Sequence, residues 1–578
     1  VLLIALGVLA VAGPLGFNPT DDAFLLGAAQ RVLDGQIPHA QFISPRPLGS
    51  AVLHLPDLLV PGPTLMVSRG IAALELTLAT VVLASLSRRT PPWRWGTGWV
   101  MAVAAATMVN LHLFPLTVWH TIDGVLLVAC SWAALRRGLA APAPSAGAGA
   151  DPRGWRVVGL LLAGAAITVK QSFAPALVVA GIWTLWAAWR DGRLTWRRVV
   201  GDGLLVGLAG LAYALVLVRG GALEVALGQL LSAESVWGND LFVGVWSIDG
   251  AAQFLTLGGL SAAALAALLR LGSERQGPPG APACWQFVAA AVAGLLTALV
   301  VWVPIGWGEL ALDGAWSRVL WWIGAAVALA AVVAGRRPWA LGAALLLGWM
   351  VSLSWGYAWP SFVAGSIGIA TAAEAWRGVP SDALRSLVPD ARHALAGATA
   401  GVVVLAVVGG AWVTQRRAVV YRDQSADQLT ADLGEIDPDL WGIRSNPAVA
   451  DHLRSIKDCV ADYPASRVAV IPDDAAIGAL LELDDPLISD WLFPVEMGGQ
   501  EDRLLAAAEE LDGDVLVLAT VEPVHTLWAA DIPSRATVDD VPFSYVDDLS
   551  AKVLDAVDGE RIACGPFVGV WSPAQPTP

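Results

Sequence analysis

Apolar runs long enough to cross a lipid bilayer recur from Val1 to Val413 and then stop. A spanning helix needs about 20 consecutive, mostly apolar residues. Thirteen such stretches are expected, at 1–17, 68–86, 97–111, 116–135, 157–169, 172–189, 199–218, 250–270, 285–305, 318–334, 338–353, 356–374 and 395–413. Inside a bilayer every backbone N–H and C=O must find its partner without water, which leaves the α-helix as the fold for runs of this kind. Charge divides the chain at the same place. From Gln415 onward there are 31 Asp and Glu against 11 Lys and Arg, a net of −20, whereas the remainder nets +5. The expected architecture is a polytopic α-helical membrane body, residues 1–414, followed by an acidic soluble α/β domain, residues 415–578. With 56% hydrophobic and 15% charged residues, a soluble single-core enzyme, a disordered chain and a disulfide-rich secreted scaffold are excluded.

Basic residues orient the body, because they accumulate in cytoplasmic loops. One alternating set of loops holds 18 of them. The opposite set holds six: Arg31, Arg46, Arg69, Lys170, Arg219 and Arg318. The crowded set is therefore cytoplasmic, and the 18–67 loop and the whole acidic domain face outward from a multi-pass cell-membrane protein. The cytoplasmic connectors at 140–154 and 272–283 are Pro/Gly/Ala-rich linkers without chemistry. Four of the seven His (His39, His54, His112, His120) fall in or beside external loops, so the working face is expected outside.

The first external loop reads Phe17-Asn-Pro-Thr20-Asp21-Asp22 and continues through an Ala-rich stretch to Leu33-Asp34-Gly35, Pro38-His39, Phe42 and Pro45-Arg46-Pro47. Thr20 is placed to cap a helix running to Leu33, with the two acids in its first turn, where the helix dipole favours them. Phe24, Leu25, Ala28, Val32 and Leu33 give that helix one apolar face, as in a helix lying on a membrane surface. Two acids capping an interfacial helix would explain the spacing with no catalysis at all.

This stretch resembles the first external loop of the GT-C superfamily, polytopic glycosyltransferases that use lipid-phosphate sugars. The matching pattern is an acidic pair (Asp21-Asp22), small residues (Ala28-Ala29), Leu33-x-Gly35-x-x-Pro38, an aromatic (Phe42) and a Pro-rich turn (Pro45, Pro47). Thr168-Val-Lys170-Gln171-Ser172 is similar to a Lys-Gln-Ser/Thr segment between middle helices of many such proteins. The close match covers about 50 residues. No Trp-Trp-Asp-Tyr-Gly motif occurs, which speaks against the oligosaccharyltransferase branch.

The resemblance implies an inverting sugar transfer from a polyprenyl-phosphate donor to a glycan, lipid or protein acceptor of the cell envelope. Asp21 or Asp22 would be the general base, with Asp22 narrowly preferred. Such chemistry needs a carboxylate for the acceptor proton and positive charge for the departing phosphate. Lys170, the only lysine before the acidic domain, is the leading phosphate-binding cation, since a cation inside an apolar segment is costly; Arg46 is the second. Asp123 is a candidate second acid or metal ligand. Glu234 and Asp240, with Glu309 and Asp313, are candidate acceptor contacts, and His39 and His120 candidate polar contacts. A divalent metal (Mg or Mn) is admissible as cofactor, although no two His stand at ligand spacing. Trp237, Trp246, Trp307 and Trp316 are positioned to stack on sugar rings, and many of the other Trp, among the 28, mark span ends. A lipid-linked-sugar flippase and a non-catalytic envelope-assembly protein remain as alternatives, although no internal repeat of the transporter kind is visible.

In the acidic domain, 467–472 and 514–519 read as buried strands, 500–511 as a helix and 561–571 as a late strand. Asp473-Asp474 follows a strand end without a phosphate-binding loop, and is read as non-catalytic. Cys459 and Cys564 either pair or stay as buried thiols. A net −20 excludes nucleic acid as partner.

Overall fold

The computed structural model describes residues 2–88, 90–112, 116–139, 152–231, 245, 283–306, 315–353, 359–377, 390–475, 478, 480–481, 483–521, 527 and 546–574. The expected span at 250–270 and the loop residues Glu234, Asp240, Glu309, Asp313, Trp237, Trp246 and Trp307 lie outside these. The apolar stretches form α1 (Leu2–Ala12), α5 (Thr64–Ser87), α6 (Thr97–Asn110), α7 (His120–Gly138), α8 (Pro152–Val169), α9 (Ala174–Arg190), α10 (Trp196–Arg219), α12 (Ala283–Gly306), α13 (Ala315–Val333), α14 (Trp339–Ser352), α15 (Ala364–Trp376) and α16 (Asp390–Ala418). Between α1 and α5 come α2 (Phe24–Leu33), α3 (Gly49–Leu53) and α4 (Leu55–Leu59); α11 (Leu223–Leu231) follows α10.

Among the described residues five helices are long and apolar enough to cross a membrane: Thr64–Ser87, Gln171–Arg190, Trp196–Arg219, Trp316–Val333 and Ala394–Ala418. Leu2–Ala12, Thr97–Asn110, Ala290–Ile305 and Trp339–Ser352 are apolar but shorter. Among the described residues, fewer helices thus meet the length criterion than the thirteen runs suggest. Leu204, Leu208, Leu211 and Leu215 form a stripe along α10 and are all more than half exposed, as is Val403 on α16. An apolar stripe of that length facing outward needs a cover other than water. Small residues set the closest helix contacts. Gly397 and Gly401 on α16 face Gly98 on α6, where an added Cβ would collide with the Gly397 carbonyl.

The acidic domain builds a four-stranded sheet of order β3-β4-β6-β5 from β3 (Arg467–Ile471), β4 (Val515–Thr520), β5 (Glu560–Cys564) and β6 (Phe567–Ser572). β3 and β4 run parallel, and β6 is antiparallel to both β4 and β5. All six residues of β4 are buried, as a central strand of apolar residues demands. The late strand expected at 561–571 is instead a hairpin, because Gly565, at φ +54°, turns the chain between β5 and β6. A short β1 (Ala431–Asp432) and β2 (Arg444–Ser445) precede α17 (Pro447–Asp462), which is capped by the Asn446 side chain. Cys459 at its end is disulfide-bonded to Cys564 on β5. Two further helices matter below: α18 (Pro494–Met497) and α19 (Glu501–Glu509).

The first loop differs from expectation at its start. The helix begins at Phe24, after Ala23 in the left-handed region at φ 64°, and no side chain caps it. Thr20 therefore does not cap, and Asp21 and Asp22 lie in turns ahead of the helix. α2 does not rest on a membrane surface either. Leu25, Leu26, Ala28, Ala29 and even Arg31 are buried, with α3 and α4 on one side and the acidic domain on the other.

Candidate active site at the loop–tail interface

The two adjacent acids point to different partners. Asp22 Oδ2 accepts from the Asn18 amide at 2.9 Å and from Arg69 Nη2 at 3.1 Å. Arg69 also donates to the carbonyls of Gly13 and Gly16. Asp22 thus belongs to a buried knot that ties the end of α1 to the start of α5. Asp21 turns the other way. Its Oδ2 accepts from the Tyr421 hydroxyl at 2.5 Å and is paired with Arg422 at 2.9 Å. Both partners lie just beyond α16, in sequence some 400 residues away. Burial pushes the Asp21 carboxyl above its ordinary range, while Arg422 and Tyr421 hold it down and Asp22 adds to the rise.

The acidic domain closes over this pair. Thr20 Oγ1 donates to Asp473 Oδ2 at 3.1 Å, and Trp491 Nε1 donates to the Thr20 carbonyl at 3.0 Å. Trp491 stacks on Phe24, ring centroids 3.9 Å apart. Asp473 is pushed up to about 7 by burial and by its neighbour Asp474, against the pull of Thr20 and Arg422. Asp474 itself meets His452 at 3.1 Å. Of the two strand-end acids, Asp473 thus bonds across the interface and Asp474 within the acidic domain.

Arg46 makes a bidentate pair with Glu496 on α18, at 2.5 and 2.7 Å, with both side chains buried. Arg31 binds Asp490 at 2.6 Å and Asp485 at 2.9 Å. Arg503 on α19 donates to the carbonyls of His39 and Ala40. Of the six basic residues assigned to the outer side, Arg31, Arg46, Arg69, Lys170 and Arg318 are buried.

Lys170 sits where α8 breaks before α9, 2% exposed, and its Nζ donates to Thr121 Oγ1 at 2.8 Å. It does not snorkel to an interface. Beside it Gln171 donates to the Pro45 carbonyl at 2.8 Å. A Cβ on Gly49 would collide with the Thr168 carbonyl. The Pro45–Pro47 turn and the Lys170–Gln171 break, 126 residues apart at this contact, therefore pack directly on one another. The charges of Arg46 and Lys170 both act on His120, and that of Arg46 reaches Asp21. His120 stacks on Trp119 and leaves Nε2 without a hydrogen-bond partner.

Other candidates fall elsewhere. His39 is consumed by structure, with Nδ1 on Gln229 Oε1 at 2.7 Å and Nε2 on the Tyr213 hydroxyl at 2.6 Å. Asp123 joins His54 rather than the acidic pair, at 3.1 Å. Trp316, expected to be available for stacking, is buried. Trp321, expected at a span end, is buried too, whereas Trp93 and Trp196 are exposed as a belt requires.

Helix α2 separates two openings. Phe24, Leu25 and Ala28 line a narrow gap together with Arg46, His120, Trp491 and Glu496. Gly27, Gln30, Arg31 and Asp34 line a cleft of about 690 Å³ whose far wall is the acidic domain, with Asp439, Asp474, Asp484, Asp485 and Asp490. The cleft is strongly acidic and polar.

Arg69, Tyr421, Arg422, Trp491 and Glu496 were not singled out in the sequence. Tyr421-Arg422 directly after the last apolar run carries a weak signal; the others have none, because each acts through a contact hundreds of residues distant or through a lone charge near a span end. No protein-family model matches the chain, and no curated protein matches it.

Proposed function

We propose that the protein is an integral membrane glycosyltransferase that moves a sugar from a polyprenyl-phosphate donor to a cell-envelope acceptor on the outer face. The observation that carries this reading is the packing of the Pro45–Pro47 turn on the Lys170–Gln171 break, which buries Arg46 and Lys170 on the same side of the molecule as His120. In the same reading the body crosses the membrane thirteen times and the acidic domain lies outside. The Cys459–Cys564 disulfide supports that side, since such bonds persist in oxidising compartments.

In this reading an acceptor hydroxyl attacks the anomeric carbon, the bond from that carbon to the phosphate oxygen breaks, and the lipid phosphate leaves with its charge. Asp21 takes the hydroxyl proton. It is preferred to Asp22 because Asp22 is held by Arg69 and the Asn18 amide in a structural knot, whereas Asp21 turns toward the interface with the acidic domain. Lys170 is the phosphate-binding cation. Arg46 is neutralised by Glu496 and serves chiefly to position the turn. The acidic cleft repels a phosphate-bearing donor and suits the hydroxyls of a neutral or cationic acceptor glycan.

The test is sugar transfer by purified protein in nanodiscs, with a panel of radiolabelled polyprenyl-phosphate sugars and a crude envelope acceptor. Transfer that vanishes in Lys170→Ala, with the lipid donor binding at least tenfold more weakly, supports the reading. Wild-type protein that binds the donor and moves it across the bilayer without transfer would replace it by a flippase.

A further inference from the structure

Away from Asp21, four side chains converge where the first loop meets α5 and α7. His54, at the break between α3 and α4, has Nδ1 2.8 Å from Asp57 Oδ2 and Nε2 3.1 Å from Asp123 Oδ1. Glu75, in the middle of α5, brings a third carboxylate. One ligand atom each from His54, Glu75 and Asp123 lie within 4.8 Å of one another. His54, Asp57 and Asp123 are buried, at 2%, 3% and 1% exposure. Asp123 Oδ2 and Glu75 Oε2 are buried atoms without a hydrogen-bond partner. Three carboxylates around one imidazole leave a dry place short of positive charge, and buried carboxylate oxygens without donors are costly.

We propose that His54 Nε2, Glu75 and Asp123 bind a divalent transition-metal ion, Zn²⁺ or Mn²⁺. Asp57, by accepting from His54 Nδ1–H, selects the tautomer whose Nε2 lone pair faces the ion, the arrangement common to metal-bound histidines. With the imidazole neutral, a double positive charge takes the three carboxylates from −3 to −1. The imidazole among the ligands favours Zn²⁺ over Mg²⁺ and Ca²⁺, which prefer all-oxygen sets, and the two carboxylates admit Mn²⁺ as the second choice. Ligand atoms about 2.1 Å from a tetrahedral ion stand about 3.4 Å apart, close to the 3.1 Å between His54 and Asp123. The ion pins the end of the first loop to α5 and α7, and three protein ligands leave one position open. This site stands whether or not the protein transfers sugar.

The test measures metal and not activity. Full-length protein in detergent is stripped with EDTA, dialysed against Zn²⁺ or Mn²⁺ and assayed by inductively coupled plasma mass spectrometry. Wild type is expected to hold about one ion per chain, and Glu75→Gln, Asp123→Asn and His54→Ala to hold none. Asp57→Asn should still bind, with affinity lower by about 10- to 100-fold. Should a ligand variant lose its monodisperse state, the Asp57→Asn titration decides. Wild type that takes up neither metal, ligand variants that bind as it does, or an unchanged affinity in Asp57→Asn would overturn the site.

Discussion

The Arg46–Glu496 pair is the deepest electrostatic link between the first loop and the acidic domain, and its removal should loosen that closure by a measurable amount. Both side chains are buried and joined by two hydrogen bonds between opposite charges, at 2.5 and 2.7 Å. Glu496→Gln keeps the shape but leaves the Arg46 guanidinium uncompensated, which costs about 3–5 kcal/mol for a buried pair. Replacing both partners, Arg46→Met with Glu496→Leu, removes the stranded charge and should recover most of the loss. The reporter is the Ile43 amide, which donates to the Ile488 carbonyl at 2.6 Å across the same seam. Its hydrogen exchange reads local opening. Exchange at Ile43 should accelerate roughly 150- to 5,000-fold in Glu496→Gln and return to within about tenfold of wild type in the double variant. Equal exchange in wild type and Glu496→Gln would refute the claim that this pair closes the interface.

Three further outcomes follow from the same geometry. Asp473 holds its proton in the folded protein up to about pH 7 but releases it near 4 when unfolded. Its stabilising protonation is complete below pH 4 and is lost as pH rises to 7, a change on the order of 2–4 kcal/mol. Asp473→Asn should therefore gain thermal stability relative to wild type between pH 4.5 and 8, and a difference constant across that range would contradict the burial argument. Asp22→Asn should lower the melting temperature because it strands Arg69, by about 3 kcal/mol, while Asp21→Asn should leave it nearly unchanged; differential scanning fluorimetry separates them. Reducing Cys459–Cys564, or replacing both by Ser, opens a loop spanning 105 residues and should cost about 4–5 kcal/mol in the chain-entropy model, read by proteolysis of the acidic domain.

Much of this architecture is local information and was legible as such. Uninterrupted Ala/Leu/Val runs announce helices such as Trp196–Arg219, and Val515–Thr520 reads as a buried strand because all six residues are apolar or small. The end of α2 at Gly35 was legible too, as a glycine at φ +83°. Its beginning was not. Thr20 resembles a cap in sequence, but its hydroxyl is drawn to Asp473, 453 residues away. The same kind of distance hid Tyr421 and Glu496. Lone charges at span ends look like interface anchors until folding shows what they face. Asp123 shows the limit most plainly: its helix-start position was visible, but His54 and Glu75, which meet it, come from two other elements. Adjacent residues are equally opaque, since only the fold turns Asp21 toward Arg422 and Asp22 toward Arg69.

The central claim is that Asp21 accepts the acceptor's proton. The measurement that tests it most directly is the pH dependence of sugar transfer in wild type, Asp21→Asn and Arg422→Ala. Arg422 lowers the Asp21 carboxyl, so its removal should shift the acid limb of the rate profile to higher pH, while Asp21→Asn should abolish transfer without loss of fold. An Asp21→Asn protein that transfers sugar at the wild-type rate, with the same acid limb, would contradict the account.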